Sequence, residues 1–283
     1  MKLGSPNTWK LTRPSRWLWR FALAVFAVTT QAQDRTSAVE TVVSSGPEIR
    51  IALYQGPGTG GKGPPALMQR LKSAPISTIA EISPEQIRTG TLTNYDVVIF
   101  AGGSGSGQAN AIGEEGREAV RQFVGNGGGY IGICAGAYLA TSGFSWGLNL
   151  INAKTISPKW RRGVGSVKLE LTDPGRAILG ERTGEFDVHY VDGPIIEPAN
   201  KTDLPPFETL AFFRTELAMN DTPPGIMINS PAIFAGQYLQ GRVVCISPHP
   251  EQTAGLDDFV PRAVSWAARR SPAQVGNSPL RLE

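Results

Sequence analysis

Histidine and cysteine are scarce in this chain of 283 residues, which contains two of each. Two cysteines cannot build the framework of several disulfides that stabilises many small exported domains, although a single disulfide is still possible. His189 lies near Asp187 and Asp192, but no further cysteine or histidine stands beside them, as a typical zinc site requires. We therefore predict neither a metal site nor another cofactor.

Long membrane-spanning runs and clusters of positive charge are also missing. The apolar run at residues 21–28 is much shorter than the roughly 20 residues that cross a bilayer. The formal net charge of +3 comes from residues 1–32, whose five basic and no acidic side chains leave about −2 for the rest. The short basic cluster Lys159-Trp-Arg-Arg162 is too small for a nucleic-acid surface, so we predict no nucleic-acid partner.

The first 32 residues have the order that is typical of a secretory signal peptide. Basic residues precede the apolar run at 21–28, and small and polar residues follow it up to Ala32. We predict cleavage after Ala32, export to the periplasm or the cell exterior, a linker at 33–47 and no stable membrane span after cleavage. The alternative is an uncleaved anchor, because residues 17–19 lengthen the apolar stretch. Either reading places the folded part outside the cytoplasm.

Strand-like and helix-like segments alternate in the first half of the chain. The predicted strands are 49–54, 76–82, 95–100 and 129–133, and the predicted helices are 65–72, one starting at Ser83, 114–124 and 135–140. Parallel strands need crossover connections, which helices supply. The pattern therefore predicts an α/β fold with a mostly parallel central sheet and helices on both faces, as in flavodoxin-like proteins.

The second half is richer in strands, with apolar residues at every second position. The predicted strands are 164–172, 186–191, 209–214 and 233–238, with a hairpin through Gln240-Gly241 to 243–246 and a closing helix at 257–270. These strands predict antiparallel additions to the sheet. We place one domain at residues 48–270 and a disordered tail at 271–283.

Cys134 lies where a predicted strand runs directly into a predicted helix. Gly132 and Gly136 flank it two positions away on either side, which is the pattern of a nucleophile elbow, because larger side chains there collide with the turn. The turn holds the nucleophile in a strained conformation at a helix amino end, where the backbone partial charge favours a thiolate. The alternative is an inert buried thiol whose glycines only permit close packing.

A histidine and a glutamate stand two positions apart after another predicted core strand, in Ser247-Pro-His249-Pro-Glu251. Alternate residues of an extended segment point the same way. Glu251 can then accept from one ring nitrogen of His249 while the other nitrogen faces a thiol. With Cys134, these residues predict a Cys-His-Glu catalytic triad.

The elbow followed about 115 residues later by His-x-Glu resembles class I glutamine amidotransferases and their relatives. The similarity is closer to the amidotransferase-like domain at the amino end of some biotin-protein ligases, and it spans roughly residues 49–270. Its motifs are Phe100-Ala-Gly-Gly103, residues 128–138, Tyr190-Val-Asp-Gly-Pro194 and residues 247–251.

The resemblance also implies roles for individual residues. The backbone amides of Gly103 and Ala135 would form an oxyanion hole for acyl transfer. Residues implied to line the substrate pocket are Gly102, Tyr138, Tyr190, Asp192 and Gly193. For Gly102 and Gly103 a tight turn after the strand is an alternative explanation, and a Gly-Pro turn explains residues 190–193 equally well.

One position departs from the glutamine-hydrolysing pattern. Those enzymes usually carry glutamine four residues after the nucleophilic cysteine, whereas this chain has Tyr138. Tyrosine lacks the amide donor and acceptor pair, which makes free glutamine a doubtful substrate. Nor does the sequence contain a synthetase, cyclase or biotin-ligase catalytic domain.

Two functions follow from these observations. The first is a cysteine-nucleophile hydrolase or amidotransferase-like enzyme that acts on a small amide or a γ-glutamyl-type compound. The alternative is a catalytically silent domain of the same fold that binds a ligand or partner. A disulfide between Cys134 and Cys245 would also silence the nucleophile, but the two side chains are expected at different depths along neighbouring strands.

The glycine-rich segment Gly56-Pro-Gly-Thr-Gly-Gly-Lys62 has the composition of a phosphate-binding loop. Its spacing does not match, because Gly63 follows the lysine where that motif has serine or threonine. We interpret it as a flexible turn.

Overall fold

The computed structural model describes residues 48–74, 77–157 and 161–269. The predicted signal peptide, linker and tail lie outside the described residues. Among the described residues, no helix combines the length and hydrophobicity that crossing a bilayer requires.

The first half of the described chain alternates strands and helices. In order, these are β1 (Ile49–Tyr54), α1 (Gly63–Lys72), β2 (Ser77–Ile82), α2 (Pro84–Arg88), β3 (Val97–Phe100), α3 (Gly105–Gly125), β4 (Gly129–Ile133) and α4 (Ala135–Ala140). The second half contains β5 (Ala153–Thr155), β6 (Val164–Leu171), α5 (Asp173–Leu179), β7 (Glu185–Val191), β8 (Ile196–Pro198), β9 (Glu208–Phe213), β10 (Pro231–Tyr238), β11 (Gly241–Ile246) and α6 (Phe259–Ala267). Short 3-10 helices occur at Thr91–Asn94 and Pro250–Gln252.

Nine of these strands form one mixed sheet in the order β2-β1-β3-β4-β11-β10-β9-β6-β7. The pairings from β2 through β11 are parallel, and those from β11 to β7 are antiparallel. Strands β5 and β8 pair separately. This arrangement confirms the predicted α/β class, the parallel first half and the antiparallel additions.

Both faces of the parallel half are buried, which explains why its strands are continuous apolar runs. Val97 and Ile99 of β3 pack in one hydrophobic cluster with residues of α1 and α6. Val98 and Phe100 face the opposite cluster, which includes residues of α3 and α4. The alternation of successive side chains thus builds one core on each face.

Most predicted element boundaries differ from the structure by a few residues, and two of the differences have a clear local cause. Helix α3 starts at Gly105 instead of residue 114, and Gly113 has a non-helical φ of 69° within it. Glycine is a poor helix former, so the glycines between residues 105 and 113 made this part of the helix hard to predict. The Ser104 side chain caps its amino end. The hairpin between β10 and β11 is present, but Tyr238 pairs with Gly241, so its turn is Leu239-Gln240.

The antiparallel half of the sheet curls back over the parallel half. Strand β7 is five positions from β4, which in a flat sheet corresponds to about 24 Å. However, the Val191 carbonyl at the end of β7 accepts a hydrogen bond from Cys134 Sγ, just after β4, at 3.2 Å. The edge strand therefore reaches the carboxyl ends of the central strands, where α/β folds place their sites.

Candidate active site

Cys134 occupies a strained turn between β4 and α4. Its φ of 52° and ψ of −101° are unusual for a residue other than glycine. A Cβ atom at position 132 would lie 2.4 Å from the Gly136 carbonyl oxygen, and one at position 136 would lie 2.0 Å from that of Phe100. Both contacts are far inside van der Waals distance. The backbone thus has the form that the elbow pattern predicts.

His249 and Glu251 form a buried pair directly after β11. Glu251 Oε1 lies 2.7 Å from His249 Nδ1, and the two side chains are 0% and 4% exposed. The backbone holds this segment from two sides: the His249 amide donates to the His189 carbonyl, and Arg70 Nε donates to the Glu251 carbonyl, each at 2.7 Å. These bonds fix the direction of the imidazole.

Gly102 lies next to both the His249 imidazole and Cys134. A Cβ atom at this position would lie 3.0 Å from His249 Cε1 and 3.9 Å from Cys134 Cβ. His249 Nε2 is buried and has no hydrogen-bond partner among the described residues. A buried ring nitrogen without a hydrogen-bond partner costs free energy of folding. A group that enters the space beside Cys134 and bonds to this atom recovers that cost.

The surroundings of the two histidines shift their pKa values in opposite directions. Burial lowers the pKa of His249, but its interactions with Cys134 and Glu251 outweigh burial and raise it to about 10. Burial, followed by the charge of His249, lowers the pKa of His189. His249 can therefore carry a proton at neutral pH while its neighbour is neutral.

A cavity of about 510 Å³ opens beside Cys134 and His249. Gly103 lies in its wall with a φ of 135°, and a Cβ atom there would stand 2.1 Å from the Gly58 carbonyl oxygen. Its amide donates to no acceptor in the described part of the chain. Ala135 is the first residue of α4, so its amide has no partner within the helix. The oxyanion-hole role that the resemblance implies for these two amides stays a prediction.

The remaining predicted pocket residues divide into two groups. Gly102, Tyr138 and Asp192 line the cavity. Tyr190 and Gly193 do not: Tyr190 is fully buried, and its hydroxyl donates to the Gly193 carbonyl at 2.7 Å. They lie behind Asp192 and support its turn. The Tyr138 hydroxyl donates to the Asp192 carbonyl at 3.1 Å, so it is already engaged.

Several cavity residues were not predicted from the sequence. Gln252 Nε2 lies 3.0 Å from His249 Nδ1 and 3.1 Å from Glu251 Oε1, directly beside the His-x-Glu motif. The glycine-rich segment contributes Gly60, Gly61 and Lys62. Phe144 and Trp146 form an aromatic part of the wall, and Ser104, Ser106, Thr155 and Ser157 also line it. The sequence signal for this wall was two aromatic residues in the glycine- and serine-rich stretch after α4, because such a stretch is otherwise polar and exposed.

Both cysteines are free thiols. Cys245 of β11 is level with Gly132 of β4, so it lies two residues below Cys134 along the neighbouring strand. Burial raises the pKa of the Cys245 thiol. It is a packed core side chain and does not form the alternative disulfide.

Asp187 does not join His189 in a metal site. Its carboxylate lies 3.5 Å from Lys168 Nζ on the neighbouring strand. Within the described ranges, no group of three His, Cys, Asp or Glu side chains is arranged to hold a metal ion.

The fold and the elbow are similar to those of class I glutamine amidotransferases. Residues 49–158 match the family model described as biotin-protein ligase, N terminal, which confirms the resemblance inferred from the motifs. No curated protein matches the chain significantly.

Solved structures share the fold at low sequence identity. PurLQS from Thermotoga maritima is 15% identical with a TM-score of 0.56, and the match covers 78% of this chain and 98% of that one. A ThuA-like protein from Bacteroides uniformis is 14% identical with a TM-score of 0.57, covering 81% and 96%. Another from Parabacteroides merdae is 14% identical with a TM-score of 0.56, covering 82% and 94%.

Proposed function

We propose that this protein is a cysteine-nucleophile hydrolase or amidotransferase-like enzyme for a small amide or γ-glutamyl-type compound. Cys134 is the nucleophile, His249 the general acid and base, and Glu251 the residue that orients the imidazole. One observation supports this proposal most strongly. Cys134, in a strained conformation, and His249, whose Nε2 is buried and unpaired, both lie against Gly102 beside the same cavity. This is the relation between nucleophile and base that covalent catalysis requires.

The reaction begins with the proton of the Cys134–His249 pair on His249, whose pKa is raised to about 10, so that the sulfur leaves Val191 and attacks as a thiolate. The sulfur then bonds to the substrate carbonyl carbon, and the Gly103 and Ala135 amides stabilise the resulting oxyanion. His249 gives the proton to the leaving nitrogen, the C–N bond breaks, and a thioester remains. His249, now neutral, takes a proton from water, which hydrolyses the thioester and restores the Cys134 thiolate beside protonated His249.

Alkylation tests the nucleophile directly, because iodoacetamide combines an amide with a thiol-reactive carbon. We expect one rapid addition at Cys134, found by peptide mass spectrometry, and slow or no addition at buried Cys245. Cys134→Ala should abolish the rapid addition, while Cys245→Ala should leave it unchanged. Equal labelling of the parent protein and the Cys134→Ala variant would refute the assignment.

A silent binding domain is the second candidate, and Tyr138 favours it. Its ring replaces the amide side chain of glutamine-hydrolysing relatives, and its hydroxyl is bonded to Asp192. The discriminating experiment is release of ammonia or amine from a panel of amides, run beside Cys134→Ala. Binding of an amide with no turnover by the parent protein would favour this candidate.

We also infer export and removal of residues 1–32. The order of basic, apolar and small residues supports this inference. Intact mass of the protein recovered from the periplasm or medium should correspond to a chain that starts at Gln33. A full-length mass in the membrane fraction would instead indicate the uncleaved anchor.

A further inference from the structure

The cavity beside Cys134 has two chemically different ends. Lys62, His249 and Gln252 lie together at the polar end, where a Cβ atom at position 63 would stand 3.1 Å from Glu251 Oε1 and 3.7 Å from Gln252 Nε2. The other end carries three aromatic rings beside the starts of α3 and α4, with hydroxyl side chains such as Ser104 and Ser106 at its margin. Cys134 lies next to His249 at the polar end, and Tyr138, one turn further along α4, belongs to the aromatic end, so an amide bound at Cys134 has one part toward each end.

Three rings form the aromatic end. The Phe144 and Trp146 rings stack with centroids 4.4 Å apart and planes at 13°, and Tyr138 lies 6.2 Å from Phe144. Trp146 is held against α3, because a Cβ atom at Gly105 would lie 3.2 Å from its ring. Phe144 and Trp146 are nevertheless only partly buried and line the cavity. Partly exposed stacked rings in a concave site indicate a surface for an apolar ligand group.

The direction of proton transfer decides which part of the substrate meets these rings. His249 must donate its proton to the leaving nitrogen, so the leaving group lies at the polar end. The acyl part then points away from His249, toward Tyr138, Phe144 and Trp146. Tyr138 offers this part no free hydroxyl proton, because that proton is donated to the Asp192 carbonyl.

We propose that the acyl part of the substrate carries a flat apolar ring that packs against Phe144 and Trp146. The inference rests on the proposed function and selects an aryl-substituted acyl amide over the zwitterionic γ-glutamyl group. The carboxylate of a zwitterion would lose hydration against the negative faces of these rings, while Lys62, which could pair with it, lies at the polar end of the cavity. Trp146 is thus a specificity-determining residue.

Two primary amides with the same leaving group test this proposal: 3-phenylpropanamide and L-glutamine, each followed by ammonia release. We expect the parent enzyme to prefer 3-phenylpropanamide in kcat/KM. Trp146→Ala should lower that value about ten-fold or more, as loss of a fitted apolar contact does, while Trp146→Phe should retain most of it. Trp266→Leu is the matched control, since Trp266 of α6 packs against Arg242 of β11 and does not line the cavity. A preference for glutamine, or an equal loss for both amides in Trp146→Ala, would overturn the proposal.

Binding separates this proposal from the proposed function. Calorimetry on the Cys134→Ala variant should show 3-phenylpropanamide binding that weakens about ten-fold when Trp146→Ala is added. Such binding without turnover by the parent protein would contradict the proposed enzymatic activity but not the binding of an apolar ring at the aromatic end. Iodoacetamide labelling at Cys134 without any binding of 3-phenylpropanamide would support Cys134 as the nucleophile and refute the binding of an apolar ring at the aromatic end.

Discussion

The two imidazoles of this chain lie close together in different electrostatic environments. Their ring centroids are 6.0 Å apart, yet only His249 has a carboxylate and a thiol as neighbours that raise its pKa strongly. Proton affinity at this site is therefore set by Glu251 and Cys134 and not by burial, which acts in the opposite direction. Protonated His249 also stabilises the fold: this contribution is complete below pH 6.5 and is lost as pH rises through about 10.

Proton NMR should resolve this difference, because there are only two histidine signals in the chain. We expect the His189 signal to titrate below its ordinary pKa and the His249 signal to stay in its protonated position until about pH 10. Glu251→Gln should lower the pKa of His249, since it removes a charge and hydrogen bond that favour the imidazolium. His189→Asn assigns the signals. Titration of both rings near pH 6.5 would contradict the described charge arrangement.

The elbow is an element whose shape depends on the absence of two side chains. Gly132 and Gly136 each lie against a backbone carbonyl, which cannot move without displacing a strand or helix. Overpacking against backbone is not relieved by a rotamer change. Cys134 therefore keeps its strained conformation because the surrounding β4 and α4 permit no other course for the chain.

Substitution of Gly132→Ala should destabilise the protein by about 3 kcal/mol or more and disturb Cys134 labelling. Thermal unfolding followed by circular dichroism measures the first effect. Gly184→Ala is a suitable control: its φ is 71°, but nothing lies within 4 Å of the added Cβ, so we expect a cost of only about 1–2 kcal/mol. Similar melting temperatures for the parent and Gly132→Ala would contradict the close contact.

Local signals account for what the sequence predicted well. Strands β3, β4 and β11 are apolar runs buried on both faces, and their pattern identifies them without tertiary information. Helix α5 was missed because its seven residues contain proline and glycine and show no clear helical spacing. The elbow and the His-x-Glu segment could be found because their chemistry is written in short motifs. The aromatic wall had only a weak signal, the two aromatic residues after α4, and the contact of Val191 with Cys134 had none, because it depends on how distant segments pack.

The limits of the folded unit are a property of the whole molecule. We predict that residues 48–270 fold alone and unfold in one cooperative transition, at the same melting temperature as the chain without residues 1–32. A fragment that ends at residue 240 is the control: it lacks β11, which lies between β4 and β10 in the sheet, and should not fold. A markedly lower melting temperature for 48–270 would show that the flanking segments contribute to stability.

The return of β7 over Cys134 brings one edge of the sheet to the carboxyl end of its central strand β4, at the cleft. A ligand that pushes Val191 away from Cys134 must also flatten the sheet, and the resistance is shared by the five strand pairings between β4 and β7. The width of the cleft is therefore set by the curvature of these strands and not by a single loop. Substitutions in β6 or β9, remote from the nucleophile in sequence, will change the bulk of the molecules that the cleft admits.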